Sequence, residues 1–142
     1  MRIYQLPVLL MVVFFCLQCK KDNQRTDILT TGKWKRGMID KNISSNPPGR
    51  PLYYAVLNCE QDDELTFDPG GTLRINNGAD KCDPDEPGTG SMTYSYDKAG
   101  KELVIDSVKY TIAEETEKQI KYFAILPSNT GYEYVVYLLV RP

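Results

Sequence analysis

From residue 64 to residue 140 the chain alternates apolar and polar side chains in short runs separated by turn formers, and this pattern limits the fold more than any other feature. Residues 64–67 (ELTF) and 72–76 (TLRIN) flank Asp68-Pro69-Gly70-Gly71, so Leu65, Phe67, Leu73 and Ile75 fall on one face of a hairpin. Residues 91–96 (SMTYSY) put Met92, Tyr94 and Tyr96 on one face, and Asp97-Lys98-Ala99-Gly100 turns the chain. Residues 101–105 (KELVI) and 108–113 (VKYTIA) follow, parted by Asp106-Ser107. Residues 119–126 (QIKYFAIL) place Ile120, Tyr122, Ala124 and Leu126 together, and after a turn at 127–131 the last strand runs over 132–140 (YEYVVYLLV). Upstream, residues 32–39 (GKWKRGMI) are a first strand, 41–51 reads as loop, and 52–57 (LYYAVL) is a short helix or strand. About eight strands in order with mostly short turns predict an all-β, antiparallel up-and-down meander, and closure into an eight-stranded barrel removes its edges.

Composition narrows the function classes. With 17 basic and 19 acidic residues there is no basic excess to neutralise phosphates, so nucleic acid is not an expected partner. No histidine is present, which removes Ser-His-Asp triads, histidine bases and histidine-ligated zinc. Glu114 and Glu115 precede a turn and read as solvated charge, and no general acid/base pair is evident. The expectation is a non-enzyme without cofactor or resident metal.

The N-terminus is a separate segment. Arg2 precedes a nearly unbroken apolar run over residues 6–17. Twelve residues rising about 1.5 Å each do not span a hydrocarbon core of about 30 Å, whereas that length suits a secretory h-region. Cys16, Leu17 and Gln18 do not make a small-x-small cleavage site before Cys19. The stretch CLQCKKDNQ resembles the lipobox of bacterial lipoproteins, with Gln18 where that family has a small residue, and Lys20-Lys21-Asp22-Asn23 is similar to the polar tether of Bacteroidetes-type lipoproteins. The resemblance implies cleavage before Cys19, lipidation of Cys19, and an outer-membrane anchor facing either the periplasm or the cell surface. The bland alternative is a signal whose Cys19 stays unmodified. The expected organisation is a signal peptide over 1–18, a lipidated tether over 19–30 and a barrel over 31–142.

Cys59 and Cys82 remain, 23 residues apart. An exported chain occupies an oxidising compartment, an even pair suits a disulfide, and a loop of that size adds about 3 kcal/mol. Asp80, Asp83, Asp85 and Glu86, with Asp62 and Asp63 near if that disulfide forms, present hard oxygens of the kind Ca2+ takes, but no twelve-residue calcium loop is present and a solvated loop is the default.

At Gly32-Lys33-Trp34 a G-x-W opens the first strand. Together with the acidic run Cys59 to Phe67, the Asp68-to-Thr72 hairpin and Cys82 after Asn77-Gly78, it resembles the lipocalin-like lipoprotein domains of Bacteroidetes over residues 31 to about 140. The resemblance implies a lipocalin-like barrel in which Trp34 plugs one end and Arg141 is the basic partner, while the lipocalin T-D-Y loop motif is absent. Trp34 could otherwise stack on a ligand. Met92, Tyr94, Tyr96, Tyr110, Tyr122, Tyr132 and Tyr134 lie on strand faces, where they either fill the core or line a pocket for one small apolar or amphipathic ligand. The two functional expectations are a lipid-anchored binding module and a filled barrel that acts on an envelope protein partner through loops 41–51 and 76–90.

Overall fold

A computed structural model describes residues 27–142. The signal segment, Cys19 and most of the tether lie outside the described residues.

Nine strands form one sheet: β1 (Lys35–Arg36), β2 (Pro51–Tyr53), β3 (Glu64–Asp68), β4 (Thr72–Asn76), β5 (Thr89–Asp97), β6 (Glu102–Ile105), β7 (Val108–Glu115), β8 (Gln119–Ile125) and β9 (Tyr134–Val140). Eight follow the order β1-β9-β8-β7-β6-β5-β4-β3 and pair antiparallel. The two ends of that order meet at Trp34, whose backbone N–H and C=O both bond Leu65 at 2.8 Å, so the meander is a nearly closed up-and-down barrel.

Turn chemistry sets the register. The β3–β4 turn needs Gly71 at φ +86, where an added Cβ would sit 3.0 Å from the Tyr94 carbonyl. Asp106 and Ser107 both take positive φ in the two-residue β6–β7 connection, the twist a tight hairpin requires. The alternation read from β3 and β4 holds: Leu65, Phe67, Leu73 and Ile75 are all buried. They join Trp34, Leu103, Ile112, Ile120 and Leu139 in one continuous cluster inside the barrel.

The first half of the chain departs from expectation in three places. Strand β1 is two residues long, not eight. It must serve two edges at once, bonding β3 at Trp34 and β9 at residues 35–36, and after the Gly37 N–H bonds Leu138 O the chain leaves the sheet. The segment over 52–57 is neither a helix nor a rung of the meander: β2 runs parallel to β9 on the edge that β1 leaves free. Residues 28–30 are not tether. Ile28–Thr30 forms a 3-10 turn, and Leu29 is 1% exposed within the core.

Between β1 and β2 the chain crosses the outside of β8 and β9. This cover explains a second, smaller core of Tyr134, Val136 and Leu138, with Tyr53 and Phe123 against it. Strand β8 is consequently buried on both faces, and Gln119, Ile120, Lys121 and Tyr122 are all buried in succession.

Candidate functional site

The barrel has two unlike ends. At one, Arg141 lies 3.7 Å over the Trp34 ring, and its guanidinium donates to Ile28 O, Thr31 Oγ1 and Lys33 O. The Trp34 indole N–H donates to Leu29 O at 2.9 Å. Every polar group of this stack has a partner in the fold, so the end is sealed. No ligand is needed to complete it.

The other end carries the long connection 77–88 and the Cys59–Cys82 disulfide, with a Cα–Cα distance of 5.1 Å. The disulfide ties that connection to the 3-10 turn Asn58–Glu60. Asp62 accepts from the Ala79 and Asp80 amides, Asp63 from Gly78 and Glu86 from Cys82. One oxygen of each of these acidic side chains is thus taken up by loop amides, while Asp62 Oδ1 is buried without a hydrogen-bond partner among the described residues. No cluster able to hold a metal ion is found among the described residues.

Inside this end stand four packed tyrosines, three of them stacked. Tyr137 of β9 lies between Tyr54 and Tyr122, with ring centroids 5.1 and 5.2 Å away and interplanar angles of 28° and 10°. Tyr110 of β7 meets Tyr122 and Tyr137 edge-on at 5.1 and 5.5 Å. The register accounts for the grouping: Tyr122 pairs with Tyr137, and Ile112, two residues from Tyr110, pairs with Tyr122. Tyr54 enters because the chain rejoins β9 there, its N–H bonding Val136 O at 2.8 Å. Arg36 shares the inward face through its pairing with Leu139.

The electrostatics of this group are unusual. The Arg36 guanidinium lies over the Tyr54 ring at 5.6 Å. Its one carboxylate contact among the described residues runs from the buried Nε to Glu60 Oε1 at 3.3 Å, close enough for charge pairing but without hydrogen-bond geometry. Glu60 is engaged elsewhere: both carboxylate oxygens accept from the Tyr54 hydroxyl at 2.9 Å, and one also takes the Leu57 amide at 3.0 Å. Burial raises the pKa of Tyr54, Tyr110 and Tyr122, while the Arg36 charge works against it at each of the three. The hydroxyls therefore stay protonated and available as donors at neutral pH. Those of Tyr110 and Tyr122 have no hydrogen-bond partner among the described residues.

The seven residues singled out from strand patterning separate into distinct environments. Tyr110 and Tyr122 stand in the stacked group. Tyr94 and Tyr96 face the core, but their hydroxyls already donate to Asp68 O at 2.7 Å and Glu115 Oε2 at 2.9 Å. Met92 pairs with Leu73 and shares its face, yet it is 42% exposed near the barrel rim. Tyr134 does not line the lumen. It belongs to the outer core, and its hydroxyl donates to Pro47 O beneath the 37–50 cover. Tyr132 precedes β9 and lies under Arg50 at the surface. Arg36, Tyr54, Glu60 and Tyr137 were missed. Parity held the signal for two of them: Arg36 is two residues from Trp34, and Tyr137 is two from the inward-facing Leu139.

Outside the barrel, a groove of about 500 Å3 runs over β3, β4 and β5, bordered by Lys33, Glu64, Thr66, Arg74, Asn76 and Thr89. Its charges pair within the fold, Lys33 with Glu64 and Arg74 with Asp68.

Comparison of the chain with protein-family models, with curated proteins and with solved structures finds no match.

Proposed function

We propose that this chain is a non-enzymatic binding module of the bacterial cell envelope, tethered to the outer membrane by a lipid on Cys19, and that it takes up one small amphipathic molecule at the disulfide-bearing end of its barrel. The observation that carries this is the stacked tyrosine group around Arg36. Two tyrosine hydroxyls there make no hydrogen bond to the described residues, and the buried Arg36 Nε lacks a well-aligned acceptor, a deficit that costs about 1–3 kcal/mol. A bound molecule with acceptor oxygens would remove that cost. The aromatic rings supply the apolar wall that a small-molecule site needs. The disulfide fastens the 77–88 connection to the Asn58–Glu60 turn at this end.

A second function, acting on an envelope protein partner through the loops, has its own support. Most of the barrel interior is packed solid, and Leu57, Val108 and Ile125 are exposed by 55%, 49% and 75% in loops and strand ends outside it. Native mass spectrometry of the protein purified from its own membrane separates the two. The expected result is residues 19–142 with acyl chains, plus a further mass of a few hundred daltons that leaves on denaturation. Loss of a whole polypeptide would favour the loop-mediated function. A chain that retains residues 1–18 would overturn the anchor.

A further inference from the structure

We infer that the molecule bound at this end carries an anionic oxygen head, a carboxylate, sulfonate or phosphate group, and that Arg36 is the residue that selects it. The inference rests on the binding function proposed above and narrows it to one ligand class.

The case starts from the chemistry of guanidinium. It presents five N–H donors in a planar fork and stays charged at any ordinary pH. A largely buried guanidinium is normally matched to a carboxylate by two parallel hydrogen bonds. Arg36 lacks that match. Its side chain is 20% exposed, and its one contact with Glu60 is Nε to Oε1 at 3.3 Å, a charge contact without hydrogen-bond geometry that leaves both Nη groups without a carboxylate among the described residues. Glu60 is not free to improve the contact, because the Tyr54 hydroxyl and the Leu57 amide hold its carboxylate from other directions. The Tyr54 ring beneath the guanidinium limits how far it can turn. The positive charge therefore stays in place with hydrogen-bonding capacity unspent.

The neighbouring groups point to the same ligand. The Tyr110 and Tyr122 hydroxyls are protonated donors, and Tyr122 is 5% exposed. A cation and two hydroxyl donors in one aromatic group suit an acceptor-only, negatively charged head with an apolar body attached. A cationic head would meet the Arg36 charge at close range. A neutral alcohol could use the hydroxyls but would leave the guanidinium as it is.

Two fluorescent probes share an aromatic body and differ in the head: 8-anilinonaphthalene-1-sulfonate, which is anionic, and N-phenyl-1-naphthylamine, which is neutral. Both are titrated into the chain from residue 19 onward carrying Cys19→Ser, so that no acyl chain competes for the site. The sulfonate is expected to bind about 10- to 100-fold more tightly than the neutral probe, the span of one or two charge-assisted hydrogen bonds. Arg36→Met should abolish that difference. Equal affinities for the two probes, or a preference that survives Arg36→Met in a folded protein, would overturn the anionic head while leaving a binding module standing. Binding of neither probe would remove the binding function itself. If Arg36→Met does not fold, Glu60→Gln decides. Losing the carboxylate charge beside Arg36 should raise the preference for the sulfonate over the neutral probe several-fold, and an unchanged preference would overturn the inference.

Discussion

Lys121 and Tyr122 are neighbours in β8, and they belong to two polar networks on opposite faces of the same wall. Outside, the Lys121 ammonium lies 2.7 Å from Asp40 and donates to Asn42 O, Ser45 Oγ and Asn46 Oδ1. The Tyr53 hydroxyl donates to Asp40 at 2.7 Å and accepts from the Asn46 amide, closing a ring of four residues. Inside, the Tyr122 hydroxyl has no partner among the described residues and Arg36 has an orphan Nε. The outer network is saturated and fastens the 37–50 segment to the barrel. The inner one holds donors in reserve. The difference teaches where to look for function: in a buried network every partner normally comes from the fold, so a group left without one points to something that comes from outside.

Breaking the outer ring should produce the largest effect. Lys121→Met leaves Asp40 buried at 5% side-chain exposure without its cation, and a loss of about 3–5 kcal/mol is expected from urea unfolding. A loss under about 1 kcal/mol would mean that the ring does not fasten the cover. Replacing Cys59 and Cys82 together by alanine should cost about 3 kcal/mol, read by the same method against the oxidised wild type.

A matched pair of substitutions tests the comparison directly. Tyr53→Phe removes a hydroxyl with two partners and strands Asp40 and Asn46, so about 1–3 kcal/mol should be lost. Tyr122→Phe removes an unpartnered hydroxyl and should stay within about 0.5 kcal/mol of wild type, while weakening the anionic probe. Equal losses from the two would erase the distinction between the faces.

Titration gives the smallest and most discriminating effect. Burial pushes the Asp40 carboxyl up, but hydrogen bonds from Lys121, Tyr53 and the Asn42 amide prevail and hold it below its ordinary value of 3.8. Its contribution to stability is thus complete above about pH 4 and disappears as pH falls through the depressed value. Asp63 has the opposite sign. Burial, against the Gly78 amide and Arg36, raises its carboxyl above 3.8, so its contribution declines as pH rises from that value. Asp63→Asn can keep the Gly78 hydrogen bond and should stabilise the protein at pH 7 by under about 1 kcal/mol. The gain should vanish in thermal unfolding near pH 4, and a gain that persists there would rule out the charge as its source.

Strand by strand, legibility followed how many faces of the wall are buried. In β3 and β4 only the inward face is covered, so the two-residue period marks the core directly. In β8 and β9 both faces are covered, and the apolar run over 132–140 has no period to read. Tyr132 and Tyr134 therefore read as inward from the sequence, although the inward parity belongs to Tyr137 and Leu139. Lys121 gave no sign of burial, because a lysine is buried only where a partner waits, and its partners lie about 75 to 80 residues away along the chain.

Local physics decided the strands, the hairpin turns and their antiparallel order, because side-chain period and turn conformation are properties of a few adjacent residues. The sequence also carried the Cys59–Cys82 pair, through the pairing of its only two cysteines outside the N-terminal segment. The tertiary structure alone decided that β2 runs parallel to β9, that the 37–50 segment covers the outer face, and that Arg36 stands among four tyrosines. Each of those depends on which distant groups closure of the barrel brings within a few ångströms of one another, and no local pattern encodes that distance.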